Sequence, residues 1–151
     1  VSDDHFAKVS GLVETGKAQG ARLVTGGEPG EGLSFQPTIF ADVTPDMTIF
    51  REEIFGPVVT VTRADSDDHA VELANDSAYG LAATLYTSDV RTAHRVARRL
   101  HAGTVSVNSY SEGEISTPFG GMKESGFGGL DNGIHAHEQY TELKTIWFDL
   151  A

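Results

Sequence analysis

Apolar residues at Phe6, Val9 and Val13, with Gly16 in phase, recur at the three- and four-residue spacing of one helix face, and Ser2 or Asp3 stands where a cap belongs. Gly20 to Gly27 then reads as a short strand closed by a double-glycine turn, followed by a loop from Glu28 to Leu33. Gln36 to Phe40 reads as a second strand, which Pro37 pushes toward a sheet edge because proline has no N–H to give a ladder. From Pro57 the rhythm is regular. The β-branched run Val58 to Thr62 is followed by a helix capped by Asp65 or Ser66, with Ala70, Val71, Leu73 and Ala74 inward. Leu81 to Tyr86 forms the next strand, Ser88 or Asp89 caps a helix whose Val90, Ala93, Ala97 and Leu100 share a face, and Gly103 to Asn108 supplies another strand. Strand, helix, strand, helix, strand with short connections predicts an α/β fold: a parallel sheet with flanking helices.

Past Asn108 the periodicity stops. Residues 109–135 are rich in glycine and have the length of a loop that is either disordered or functional. The chain then runs through Tyr140 to Phe148, a strand-like segment with no partner immediately before it, which predicts pairing with a distant segment or with another subunit.

Composition narrows the partners. A chain of 151 residues with 39% hydrophobic content suffices for one domain with a core. Its formal net charge of −11 argues against nucleic acid and against an anionic membrane surface, since both select clustered cations. Arg91, Arg95, Arg98 and Arg99 form the one basic cluster and read as a solvated helix face. No apolar run reaches membrane-spanning length and no signal-peptide pattern opens the chain, so a cytoplasmic address is expected. There is no initiator Met and a helix starts at once, as in a piece of something longer.

Five motifs carry the chemistry. In order they are Glu52-Glu53-Ile54-Phe55-Gly56-Pro57; Asn75 through Tyr79-Gly80-Leu81-Ala82; Gly103-Thr104-Val105 to Asn108; Pro118-Phe119-Gly120-Gly121 with Lys123 and Ser125-Gly126; and Tyr140 to Thr145. Their order and spacing resemble the C-terminal third of the NAD(P)-dependent aldehyde dehydrogenase superfamily, and the resemblance runs nearly end to end. Within it the chain is most similar to the dehydrogenases of ω-aminoaldehydes, the γ-glutamyl-γ-aminobutyraldehyde and betaine-aldehyde types.

That resemblance implies oxidation of an aldehyde to a carboxylic acid through a thiohemiacetal on a cysteine. The nucleotide fold, the general-base glutamate, the catalytic cysteine and the oxyanion-hole amide all lie upstream of the region matched here. This chain contains no cysteine at all, and it lacks the base as well, so no catalytic residue is assigned to it and it is expected to be inactive alone. NAD or NADP is the implied cofactor of the full-length enzyme and is not expected to bind this stretch tightly by itself. Residues 1–135 correspond to the end of the catalytic domain. Residues 136–151 correspond to an oligomerisation segment, with Thr141 to Phe148 adding a strand to a neighbour's sheet in a homo-oligomer.

By the same resemblance Glu53 grips the nicotinamide ribose, since a carboxylate can accept a hydrogen bond from both ribose hydroxyls, and Phe55 packs by the nicotinamide end. Read without the family, Glu53 caps a turn and Phe55 belongs to the core; Gly56 and Pro57 shape the turn and touch nothing. Phe119 resembles the aromatic lining the aldehyde tunnel, and equally fits a packing residue in a tight turn. Acidic Glu112 and Glu114 at a tunnel mouth would favour a small aldehyde carrying a cationic amine, with the ring of Tyr110 facing that cation; as bare residues they also read as solvated loop charges.

Other groupings carry less. His135-Ala136-His137-Glu138 has metal donors without a third ligand at a recognisable spacing, and no metal is expected. Asp65 to Asp68 lacks the glycine and terminal glutamate of a calcium loop. Many relatives carry an arginine after the equivalent of Ser125 to Gly128, paired with a glutamate matching Glu142; here Gly129 and Leu130 follow instead. Two other readings compete with a dehydrogenase part: a naturally truncated, non-catalytic assembly module, and an unrelated small α/β binding domain.

Overall fold

The computed structural model describes residues 2–110 and 113–150. The chain divides into two compact units, 1–76 and 77–151.

The first unit opens on α1, Asp3–Ala18. The Ser2 hydroxyl accepts the N–H of His5 at 3.2 Å, and Asp3 and Asp4 in the first turn oppose Lys17 in the last, as the helix dipole favours. Val9, Val13 and Gly16 face inward. Gly16 is small for a reason: a Cβ there would lie 2.8 Å from Ile49 Cδ1, on the one-turn helix α2, Thr48–Arg51, which the hydrophobic pattern does not reveal. Strand β1, Arg22–Thr25, runs antiparallel to β2, Thr38–Ala41, and β2 runs parallel to β3, Val58–Thr60. Helix α3, Asp67–Asn75, is capped by the Ser66 hydroxyl and completes the unit.

Around Phe40, which is fully buried, pack Val9, Val13, Ala21, Val43, Met47, Ile49 and Ile54. Burying a ring of that size contributes on the order of 2 kcal/mol. The edge placement expected for the second strand is corrected: β2 is the central strand of the order β1-β2-β3. Pro37 stands one residue before the strand, so its missing N–H costs no ladder bond, and Thr38 N–H donates to the Pro57 carbonyl at 2.8 Å. In α3 only Val71 is buried; Ala70 and Ala74 face solvent, contrary to the expected inward face.

The second unit holds a βαβ arrangement. Strand β5, Ala82–Leu85, lies parallel to β6, Thr104–Val107, in register from Ala82 opposite Thr104 to Leu85 opposite Val107. Their crossover is α4, Val90–Ala97, whose N-cap Asp89 accepts the N–H groups of Arg91 and Thr92. Val90 is 67% exposed, so it does not share the half-buried face of Ala93, Ala97 and Leu100. The strand expected over Leu81 to Tyr86 is β5, one residue shorter at each end. β4, Tyr79–Gly80, pairs antiparallel with β7, Met122–Lys123, before β5 turns to β6. Among the described residues the strands therefore form three sheets, not the single parallel sheet that the periodicity predicts. Periodicity reports burial, and burial does not name a strand's neighbour.

A 3-10 helix, Ile134–Tyr140, follows, and 141–150 carry neither helix nor strand. Leu143, Trp147, Phe148 and Leu150 are largely exposed there, and among the described residues the strand-like tail pairs with no strand. Among the described residues no helix is long and apolar enough to cross a membrane.

Candidate functional site

The motif Glu52 to Pro57 forms a turn between α2 and β3. Glu52 N–H closes the end of α2 on the Thr48 carbonyl at 2.9 Å, and Val58 N–H reaches the Gly56 carbonyl at 2.7 Å where β3 begins. Between those points Ile54 is the buried residue. Glu53 is exposed, and its carboxylate has no hydrogen-bond or ion-pair partner among the described residues. Phe55 is 70% exposed and adopts φ +54°, a left-handed conformation uncommon for a bulky side chain. The reading of Phe55 as core is excluded.

What holds the turn is α1. His5 Nε2 lies 2.6 Å from the Phe55 carbonyl oxygen, so that ring nitrogen carries the proton and donates. One helical turn on, Val9 packs under Gly56, where a Cβ would come within 2.8 Å of Val9 Cγ1. Gly56 thus touches α1 closely, which corrects the expectation that it contacts nothing. Phe6, Leu33, Phe35, Phe55 and Pro57 border a small apolar cleft of about 90 Å³ beside the turn, with Phe6 and Phe35 meeting edge to face at 6.1 Å.

Arg51 steadies the approach to the turn. Its guanidinium makes a two-pronged contact to the Asp76 carboxylate, both bonds 2.8 Å, and a third bond to the Pro45 carbonyl at 2.6 Å. The Asp76 hydrogen bond, and then its charge, hold Arg51 above its already high ordinary pKa.

In the second unit Phe119 is half-buried and bridges Asp131, with N–H to carbonyl bonds of 2.7 Å in both directions. It lines a cleft of about 180 Å³ with Leu81, Gly120, Gly126 and Phe127. Gly103 and Gly120 approach so closely that a Cβ on Gly103 would occupy the position of the Gly120 carbonyl oxygen. Lys123 Nζ donates to the Ser77 carbonyl at 2.9 Å and Gly80 N–H to Ser125 Oγ at 3.1 Å. The glycine-rich stretch is therefore tied down by main-chain contacts across most of its described length.

Tyr110 is 92% exposed and Glu114 is exposed, its N–H facing Thr117 Oγ1 at 3.4 Å. Glu112 lies outside the described residues. Asn108, in the left-handed region at φ +55°, ends β6 by bonding the Thr87 N–H and carbonyl with its amide, each at 2.8 Å. Glu53 and Phe55 thus share one turn, while Tyr110, Glu114 and Phe119 belong to the other unit.

Around His135 the near neighbour is Glu138 at 3.6 Å, and no group of three metal donors forms among the described residues. Gln139 binds the Leu130 carbonyl and Asp131 at 2.6 and 2.9 Å, close to Gly129, where relatives are expected to carry arginine. The motifs single out neither His5 nor Arg51, and the helix pattern places Val9 inward without showing its contact with Gly56. The four-residue spacing of His5 and Val9 on one helix face is the signal that was available.

Residues 1–146 match the pattern of the Aldehyde dehydrogenase family. The chain is 50% identical over 151 residues to aminoacetaldehyde dehydrogenase of Pseudomonas aeruginosa, covering 100% of this chain and 30% of that protein. It is 49% identical over 146 residues to NADP/NAD-dependent aldehyde dehydrogenase PuuC of Escherichia coli, covering 97% of this chain and 29% of that protein. Among solved structures, the NAD+ complex of an aldehyde dehydrogenase from Bacillus cereus superposes with a TM-score of 0.94 at 44% identity, over 100% of this chain and 31% of that one. The chain spans about 30% of the length of the curated relatives it matches. Agreement of pattern, identity and fold along nearly the whole sequence means that the chain belongs to the aldehyde dehydrogenase family.

Proposed function

We propose that this chain is the C-terminal third of an NAD(P)-dependent aldehyde dehydrogenase that oxidises small ω-aminoaldehydes to carboxylic acids in the cytoplasm. The chain holds cofactor and substrate and does not catalyse alone, because the cysteine that would form the thiohemiacetal and the base that would activate water are not among its residues. The observation that carries the reading is Glu53: an exposed carboxylate without a partner among the described residues, on a turn fixed at both ends, inside a chain of this family.

The residues present fit the ribose of a nicotinamide cofactor. Glu53 offers acceptors to two hydroxyls, and the exposed ring of Phe55, two residues on, supplies a flat apolar surface near the nicotinamide end. When bound, that cofactor supplies the hydride acceptor. Phe119 walls the aldehyde tunnel and excludes water. Tyr110, Glu112 and Glu114 select a cationic amine at its mouth. The relatives named aminoacetaldehyde dehydrogenase and betaine aldehyde dehydrogenase favour that substrate class. Residues 1–135 complete the catalytic domain. Residues 136–151 are the oligomerisation segment, where the exposed Thr141 to Phe148 stretch joins a neighbouring subunit's sheet.

The test is NAD(P)-linked oxidation of an aldehyde panel that includes γ-aminobutyraldehyde and betaine aldehyde, run on this chain and on a form extended upstream with the missing catalytic residues. Turnover in the extended form alone, with the amino- or ammonium-bearing aldehydes preferred, is expected. No turnover in either form favours the non-catalytic assembly module instead, and equal turnover of uncharged aldehydes overturns the roles given to Tyr110, Glu112 and Glu114.

A further inference from the structure

We infer that His5 is a positioning residue for the Glu53 carboxylate, acting through the backbone of Phe55. The inference rests on the reading of Glu53 as the ribose contact.

Among the described residues, no main-chain hydrogen bond joins Glu53, Ile54 or Phe55 to another main-chain group. A segment without such bonds has a choice of conformations unless side chains remove it. Ile54 removes part of the freedom by burying its side chain in the core. It fixes depth, but an apolar contact is not directional and leaves the peptide planes on either side free to rotate. The bond from His5 Nε2 to the Phe55 carbonyl, at 2.6 Å, supplies the direction. It holds one peptide plane, and it does so where φ is +54°, a conformation that phenylalanine leaves readily when nothing retains it.

The second contact comes from the same helix face. His5 and Val9 are four residues apart on α1, so both side chains point to one side. Val9 backs Gly56 at a distance that admits no Cβ. A polar anchor at Phe55 and a steric stop at Gly56 together determine how the chain leaves Glu53, two residues upstream, and hence where its carboxylate points. His5 is half-buried and the Ser2 cap orders the first turn of α1 around it, which limits the positions open to its ring. Orientation matters more than affinity for a group whose task is to align a reacting centre, because a displacement of about 1 Å costs up to about a hundredfold in rate.

The test compares His5→Ala, His5→Gln and Glu53→Gln in the full-length enzyme by single-turnover hydride transfer and by cofactor titration. His5→Ala is expected to slow hydride transfer by about tenfold or more with cofactor affinity unchanged. His5→Gln, whose amide N–H can reach the same carbonyl, is expected to recover most of that rate. Should the alanine variant not fold, His5→Leu, which fills the space without a donor, replaces it and is expected to be slow. A full rate in the donor-free variant, or a loss confined to cofactor affinity, overturns the role of His5. If Glu53→Gln leaves the rate unchanged, the assignment of Glu53 to the ribose falls. A slow Glu53→Gln beside a fast His5→Ala shows that Glu53 keeps its role and that His5 does not position it.

Discussion

His5 and Phe55, fifty positions apart in sequence, are joined by a 2.6 Å bond from an imidazole nitrogen to a main-chain oxygen. The bond converts the end of a helix into a clamp on a turn with little main-chain bonding of its own. Its loss in His5→Ala is expected to lower stability by about 1 kcal/mol. Amide exchange at Val58, whose N–H bonds the Gly56 carbonyl, should rise, while protection of the β5 and β6 amides stays as it was. Unchanged exchange at Val58 would show that the turn is held without the His5 bond.

Gly56 tests the steric half of the same clamp. An alanine there meets the branched end of Val9, with 2.8 and 2.9 Å to its two methyl carbons. Gly56→Ala is expected to cost about 1–3 kcal/mol in denaturant unfolding. Trimming the partner in Val9→Ala should remove much of that cost, so that the two changes are not additive. Strict additivity would mean that the Val9 contact is not what excludes a side chain at Gly56.

The legible part of the fold was the part set by local pattern. Ser2, Ser66 and Asp89 cap the helices where their positions suggested, and the β5-α4-β6 crossover follows the switch between two-residue and helical periods. The short helix at Thr48 was not legible, because four residues carry no period. Sheet partnership was not legible either: Tyr79 and Gly80 pair with Met122 and Lys123 across forty residues of chain, a choice made by tertiary packing. In the site, the motifs identified the turn and the glycine-rich stretch. Their supports were hidden, since His5 and Arg51 act on carbonyl and carboxylate groups far along the chain.

Helix α4 should loosen at acid pH. Hydrogen bonds from the Thr92 side chain and main chain, and from the Arg91 N–H, hold the Asp89 carboxyl below its ordinary 3.8. A carboxylate with a depressed folded pKa adds stability that is present above the unfolded pKa and is lost as pH falls through the lower folded value. The capping contribution should therefore be whole above the unfolded carboxylate range and fall away as pH drops through the lower folded value. Amide exchange or backbone chemical shifts in 90–97 report it, and Asp89→Asn, which caps without a charge, should flatten the acid dependence. A dependence that survives in Asp89→Asn belongs to another group.

Two glycines with opposite surroundings separate close packing from mere flexibility. At Gly103 the Gly120 carbonyl fills the place of a Cβ, and neither backbone is a flexible side chain that can swing away. Gly103→Ala is expected to cost about 1–3 kcal/mol and to raise amide exchange at Phe119 and Asp131, whose paired bonds follow directly from Gly120 and close the cleft beside Phe119. Gly11, inside α1, has nothing within 4 Å of its Cβ position. Gly11→Ala should raise stability by about 0.5–1 kcal/mol, since it restricts the unfolded chain and meets no obstacle in the helix. If both substitutions destabilise alike, the Gly103 to Gly120 approach is not what seats Phe119; opposite signs would make that approach the reason a glycine stands at the start of β6.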